Sequence, residues 1–238
     1  RRHLPAQAPR PITLTLPMRR LALAAALLAA SLAQAAPIRP LAQDHVVLAE
    51  SPDPEKIPLY NPSIIRHESG RLVAAYLVSG KHNPDVSSRT HIVTSDDGGL
   101  TWQKRAEANI GQSRLFPAGR HLYLIGTAGG LRVQRSFDAG LTWSEPSLIA
   151  PGRWHQTASN HWHANGHVYL ALEKRVGRDI NGWQVGDLAP VLLRARATDD
   201  LARPKSWTFS SDLVFKDLIP GYAENKPALD FVGIPFFT

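Results

Sequence analysis

The chain has 238 residues, with 27 Lys and Arg against 20 Asp and Glu and a formal net charge of +7. A positive balance of that size would ordinarily point to a polyanion partner. Yet five arginines (Arg1, Arg2, Arg10, Arg19 and Arg20) precede residue 36 with no acidic residue among them, and losing those five takes +7 down to +2. Nucleic acid is therefore not an expected partner. The absence of cysteine excludes disulfides and a lipid-modified cysteine, so the fold must be held by its core alone.

Residues 1–17, rich in Pro and Arg, read as an upstream start-site artefact or a disordered leader. Met18 is followed by Arg19 and Arg20, then by an apolar run from Leu21 to Ala30, then by Ala33-Gln34-Ala35. Those three parts make a signal peptide over 18–35: a charged end, an apolar stretch too short for a stop-transfer span, and small residues at a cleavage site. The expected destination is the periplasm or the medium, with no membrane contact after cleavage. Residues 36–238 form the folded part.

Beyond Ala36 the sequence consists of short β-type runs separated by Gly, Asn, Asp and Pro, with no sustained helical period. Strands are expected at Ile64 to Arg66, Leu72 to Leu77, His91 to Thr94, Leu122 to Ile125, Leu131 to Arg135, Val168 to Leu172 and Val191 to Ala195. The clearest organisation is a repeat. Ser95-Asp96-Asp97-Gly98-Gly99-Leu100-Thr101-Trp102 and Ser136-Phe137-Asp138-Ala139-Gly140-Leu141-Thr142-Trp143 both read S-x-D-x-G-L-T-W, 41 residues apart. That spacing is one four-stranded propeller blade of roughly 40 to 50 residues. A degenerate third copy runs from Thr198-Asp199-Asp200 to Trp207, so three blades and the start of a fourth are expected.

Residue types in the repeat follow from a tight turn. The Asp side chain accepts backbone N–H bonds, Gly takes a left-handed conformation and Trp packs beside the turn. Ser95, Asp97, Gly99, Trp102, Ser136, Asp138, Gly140 and Trp143 are thus structural, with both turns on one rim and both indoles largely buried. The Asp-Asp-Gly lacks the ligand spacing of a calcium hand. His161 and His163 lie two apart with no third ligand suggested by spacing, so no metal is expected, and no cofactor.

These motifs resemble the Asp-box, or bacterial neuraminidase, repeats of the sialidase superfamily. Three strands strengthen the resemblance: Gly70-Arg71-Leu72-Val73-Ala74-Ala75-Tyr76, Arg120-His121-Leu122-Tyr123-Leu124 and Gly166-His167-Val168-Tyr169-Leu170-Ala171. The resemblance implies an all-β, six-bladed sialidase-like β-propeller, which at ~45 residues per blade needs roughly 270 residues. About 200 follow Ala35, so only about three to four blades are expected here. It also implies that the tyrosine nucleophile and the third arginine of the carboxylate clamp lie in later blades, beyond residue 238.

Family members open the first blade with Arg-Ile-Pro. This chain reads Tyr60-Asn61-Pro62, and an amide at Asn61 cannot supply the cationic fork that grips a sialic carboxylate. By the same resemblance Asp85, in Ser79-Gly80-Lys81-His82-Asn83-Pro84-Asp85-Val86, matches the acid/base aspartate of the loop before the first repeat turn. His155, Glu173 and Arg175 are candidate substrate-binding residues in a His, Trp and Glu-rich third blade. The expected activity is that of an exported glycoside hydrolase, exo-alpha-sialidase-like, acting on terminal sugars of a glycan. A non-catalytic glycan-binding or scaffold propeller is the alternative, and the sequence leaves the oligomeric state open. The export reading predicts that protein recovered from its native periplasm or medium has an N-terminus close to Ala36 by mass spectrometry. A cytoplasmic product retaining Met18 would overturn it.

Overall fold

The computed structural model describes residues 45–80, 85, 87–155, 161–176, 188–212 and 214. The leader and signal segments, 1–17 and 18–35, lie outside them. Three antiparallel sheets follow one another along the chain. The first holds β1 (Leu59–Arg66), β2 (Leu72–Val78), β3 (Arg89–Ser95) and β4 (Gln103–Ala108), and the second β5 (Gly111–Ala118), β6 (His121–Thr127), β7 (Leu131–Ser136) and β8 (Ser147–Ala150). The third pairs β9 (Trp154–His155) and β10 (His161–Ala164) with β11 (His167–Arg175), followed by β12 (Leu188–Arg196) and β13 (Trp207–Phe209). Within each sheet the strands run in sequence order, as short hairpins demand. The hairpin from β10 to β11 shows the local cause: Asn165 and Gly166 take φ values of 50° and 72°, the conformation a two-residue Asn-Gly turn requires.

The expected strands all fall within observed ones, and β4, β5, β8, β9, β10 and β13 add to them. In the first repeat turn Ser95 Oγ accepts from Gly99 N at 2.8 Å and donates to Asp97 Oδ1 at 2.7 Å. Asp97 then accepts from Thr101 N at 2.9 Å and Thr101 Oγ1 at 2.5 Å. The second turn reproduces all four bonds to within 0.1 Å, with Ser136, Asp138, Gly140 and Thr142 in the same roles. Both turns leave the third strand of their sheet at the same end, since Ser95 pairs with Leu72 and Ser136 with Leu122, each the first or second residue of the sheet's second strand.

The third, degenerate turn is built differently. Asp200 Oδ1 accepts from Ala202 N at 3.1 Å, and its Oδ2 pairs with Arg135 of β7 at 2.5 Å, tying the third sheet to the second. A short 3-10 turn at Pro204–Ser206 takes up the added residues, and Trp207 is buried with its indole N–H on Leu201 O at 2.8 Å.

Trp102 and Trp143 keep most of their surface from solvent, as expected, though neither is fully buried. Each indole N–H donates to a carbonyl of its own turn, Gly99 O at 2.9 Å and Gly140 O at 3.1 Å, which holds the ring edge at the rim. Trp143 still packs on the core between the first and second sheets, whereas Trp102 lines an open apolar groove on the first sheet.

Two cores form between successive sheets. Val73, Ala75, Ile92, Leu115, Leu122 and Leu124 fill the first, and Phe116, Tyr123, Ile125, Val168, Leu170 and Leu193 belong to the second. Among the described residues the corresponding position of the first sheet is less covered. Ile64 is 58% exposed, while Leu115, at the same register position of the second sheet, is 3% exposed.

The turns also seat one sheet on another. Gly140 has a φ of +87°, and a Cβ placed there would lie 2.9 Å from Val73 Cγ2 of the first sheet. Gly166 has a φ of +72° but nothing within 4 Å. Gly140→Ala is therefore expected to cost ~2 to 4 kcal/mol, from the left-handed backbone and from overpacking together. Gly166→Ala should cost ~1 to 2 kcal/mol, from the backbone alone. Equal costs in urea unfolding would show that the seating contributes nothing.

The turn carboxylates also set an acid limit. The Thr101 hydroxyl and amide, helped by Ser95, hold the Asp97 carboxyl well below the usual range. Burial pushes the Asp138 carboxyl up, but the bonds from Thr142 and Ser136 outweigh it and leave it below its ordinary value. A depressed carboxyl pKa contributes stability above the unfolded value near 3.8 and loses it as pH falls through the folded value. The melting temperature of the parent should therefore fall more steeply between about pH 4 and pH 2 than that of Asp138→Asn, which has no such carboxylate to protonate. Parallel curves would contradict this.

Candidate functional site

The repeat turns occupy one end of the sheets, and register places the sequence-predicted polar residues at the other. The connection from β2 to β3 emerges where Val78 pairs with both Leu59 and Arg89. It carries Asp85, which is exposed; residues 81–84 and 86 on either side lie outside the described residues. At the same end Asn61 sits within β1, half-buried, where the register with β2 shifts between Tyr60 and Ser63. Its φ of 52° is one that asparagine tolerates better than most residues.

The second sheet repeats this device. The register of β5 with β6 shifts between Gly111 and Arg114, and Gln112 takes a φ of 49°. In the third sheet the inner strand is divided into β9 and β10 at the corresponding place, with residues 156–160 outside the described ones. A bulge re-aims the side chains beside it. Here bulges of the same kind recur on the inner strands of the first two sheets.

Three of the predicted residues meet. His155 and Glu173 are cross-strand partners, and His155 Nδ1 lies 3.3 Å from Glu173 Oε2, both side chains being about one third exposed. Arg175, two residues on, shares the face of Glu173 by the alternation of a strand, and its amide donates to Arg153 O at 2.9 Å. Lys174 points to the opposite face and pairs with Asp212 at 2.8 Å. A carboxylate beside an imidazole, half open to solvent, can accept from one sugar hydroxyl and donate to the next.

Two further residues stand closer to the middle of the array: Arg114, which sequence reasoning passed over, and His161, which it weighed only for a metal. Arg114 of β5 reaches across to the first sheet, where its Nη1 donates to Pro62 O at 3.0 Å, and the next amide, Leu115 N, donates to Ser63 Oγ at 3.0 Å. His161 begins β10 at the register position that Leu115 holds in the second sheet. Burial lowers its pKa, and the neighbouring His163, with ring centroids 5.3 Å apart, lowers it further. Pro62, Ser63, Arg114, Leu115 and His161 line a cavity of about 280 Å³ where β1, β5 and β10 converge. Arg114 was detectable as the one cationic residue within the otherwise neutral stretch from Gly111 to Ala118. Among the described residues no group of three or more His, Asp or Glu is arranged to hold a metal ion.

No family model matches the sequence, and no curated protein matches it. Solved structures do. An alpha-L-arabinofuranosidase from Lactobacillus brevis is similar at a TM-score of 0.50 and 15% identity, over 68% of this chain and 58% of that one. The phage phi92 endosialidase aligns at a TM-score of 0.47 and 16% identity, over 66% and 26% of the two chains. A Hadza microbial sialidase aligns at 0.43 and 16%, over 66% and 38%. The chain thus spans less than two thirds of the length of each of these proteins. At such identities the likeness establishes architecture alone: the chain has an all-β fold of antiparallel sheets of the β-propeller type.

Proposed function

We propose that this chain is part of an exported glycoside hydrolase that removes terminal sugars from an extracellular or periplasmic glycan, in the manner of an exo-alpha-sialidase. One observation carries the reading. The Asp85 connection, the Asn61 bulge and the His155–Glu173 pair all lie at one end of the sheets, opposite the saturated repeat turns. Asp97 and Asp138 are fully engaged in holding their turns, which leaves Asp85 as the carboxyl positioned to donate a proton to a glycosidic oxygen. In this reading Glu173, His155 and Arg175 hold sugar hydroxyls, and Asn61 contributes an amide. The arabinofuranosidase named above, a glycoside-cleaving protein on the same architecture, supports the assignment by analogy of fold.

The second reading, a non-catalytic glycan-binding or scaffold propeller, draws on Asn61 itself. An amide in place of the expected arginine removes a charged contact without disturbing the bulge. One experiment separates the two. In the hydrolase, Asp85→Asn should lower turnover by ~10² to 10⁴ on a glycan with a poor leaving group, and far less on an activated aryl glycoside. Unchanged turnover on the poor leaving group would remove Asp85 from the mechanism. Retained glycan binding with no turnover by the parent would establish the binding reading.

A further inference from the structure

Beyond the glycan reading, and independent of whether the chain cleaves anything, we propose that the cavity between β1, β5 and β10 is an oxyanion site in which Arg114 holds a carboxylate or sulfate group. The case begins with what surrounds the guanidinium. Arg114 is half-buried, and among the described residues its contacts are two carbonyl oxygens, Pro62 O at 3.0 Å and Ser113 O at 3.4 Å, both made by Nη1. Other arginines of the array meet carboxylates: Arg71 on Asp96, and Arg135 and Arg203 on Asp200. Arg114 has no carboxylate within ion-pair distance among the described residues.

A guanidinium presents five N–H donors in a planar fork, and its Nε and Nη2 edge is the one that binds an oxyanion through two bonds. That edge has no described acceptor, while the Nη1 contacts pin the group in place. Desolvation alone pushes the Arg114 pKa down, the direction expected of a cation kept from water without a counter-charge.

The rest of the lining consists of donors and apolar groups. Ser63 Oγ accepts from Leu115 N, which leaves its own hydroxyl hydrogen to be directed into the cavity. His161, its pKa lowered by burial and by His163, is a neutral imidazole with one N–H to give. Ile64, Ile65 and Leu115 complete the walls, and among the described residues no acidic side chain lines the cavity. Three donors, one of them a cation, and no anion make a lining complementary to a small negative group. The volume of about 280 Å³ suits one sugar ring or one free ion.

The oxyanion could belong to an acidic sugar or be inorganic, and the test has an arm for each. The full chain is titrated by calorimetry with glucuronate, with glucose as the neutral ring of the same size, and with inorganic sulfate. Saturable binding of glucuronate or sulfate but not glucose is expected. Arg114→Gln should weaken it at least ~tenfold, with Arg114→Lys intermediate because the point charge survives without the fork. Glucuronate binding assigns the site to a glycan; sulfate binding alone assigns it to a free ion. A second measurement needs no variant: glucuronate or sulfate should protect Arg114 of the parent from phenylglyoxal, read by peptide mass spectrometry. No saturable binding of either anion, or binding that Arg114→Gln leaves unchanged in a folded protein, would overturn the proposal. Loss of glycoside hydrolysis in Asp85→Asn with anion binding intact would leave this site standing apart from the catalytic reading.

Discussion

The structure depends on a carboxylate that accepts bonds inside its own turn. Asp97 and Asp138 each satisfy a backbone amide and a hydroxyl four residues on, and so force the chain to reverse between the third and fourth strands of a sheet. Without that reversal there is no fourth strand, and a three-stranded ribbon would present too narrow a face to bury a neighbour. The turn does a second job through its glycine. At Gly140 the absence of a side chain lets the turn approach Val73 of the preceding sheet, so one local geometry closes a sheet and seats it on the next. Hydrogen bonding, a positive φ and inter-sheet packing are three consequences of one short sequence.

The same economy divides the molecule into two ends with different chemistry. At the turn end the Ser and Asp side chains of the motif are spent on the motif itself. At the other end the inner strands carry bulges, with the amide residues Asn61 and Gln112 in left-handed backbone. Arg114 follows directly on the second bulge, and its reach to Pro62 depends on the first.

Much of this was legible from the residues. The repeat is local, and its spacing, residue types and structural role could be read because all the atoms that explain it lie within eight residues. The strand set was legible for the same reason, through alternation and hairpin residues such as Asn165-Gly166. What could not be read was anything decided by a neighbouring sheet. Trp102 and Trp143 have the same local sequence, yet one faces an open groove and the other a packed core. The pairing of His155 with Glu173 needed the register of β9 on β11. Arg114 was missed because its meaning lies in an absence, that of a carboxylate, across three sheets contributed by distant segments. Asp85 was found by resemblance, and the structure adds its place at the end opposite the repeat turns.

The middle position of the second sheet has a consequence for how the array opens. In a linear stack each sheet is stabilised by itself and by the neighbours it touches, so cooperativity runs along the stack rather than through a single centre. The second sheet has a neighbour on both faces, and Phe116, Leu124, Ile125, Leu131 and Val133 within it have no exposure at all. In the first sheet Ile64 is 58% exposed, and in the third Trp162 and Leu192 are 71% and 47% exposed. Among the described strands β6 and β7 carry the most fully buried side chains, and their amides are expected to be among the slowest to exchange their hydrogens with solvent. Arg114 stands on β5 of that sheet, while Pro62, to which it donates, and His161, which shares its cavity, belong to the sheets on either side, so the cavity is shaped by how all three sheets sit together.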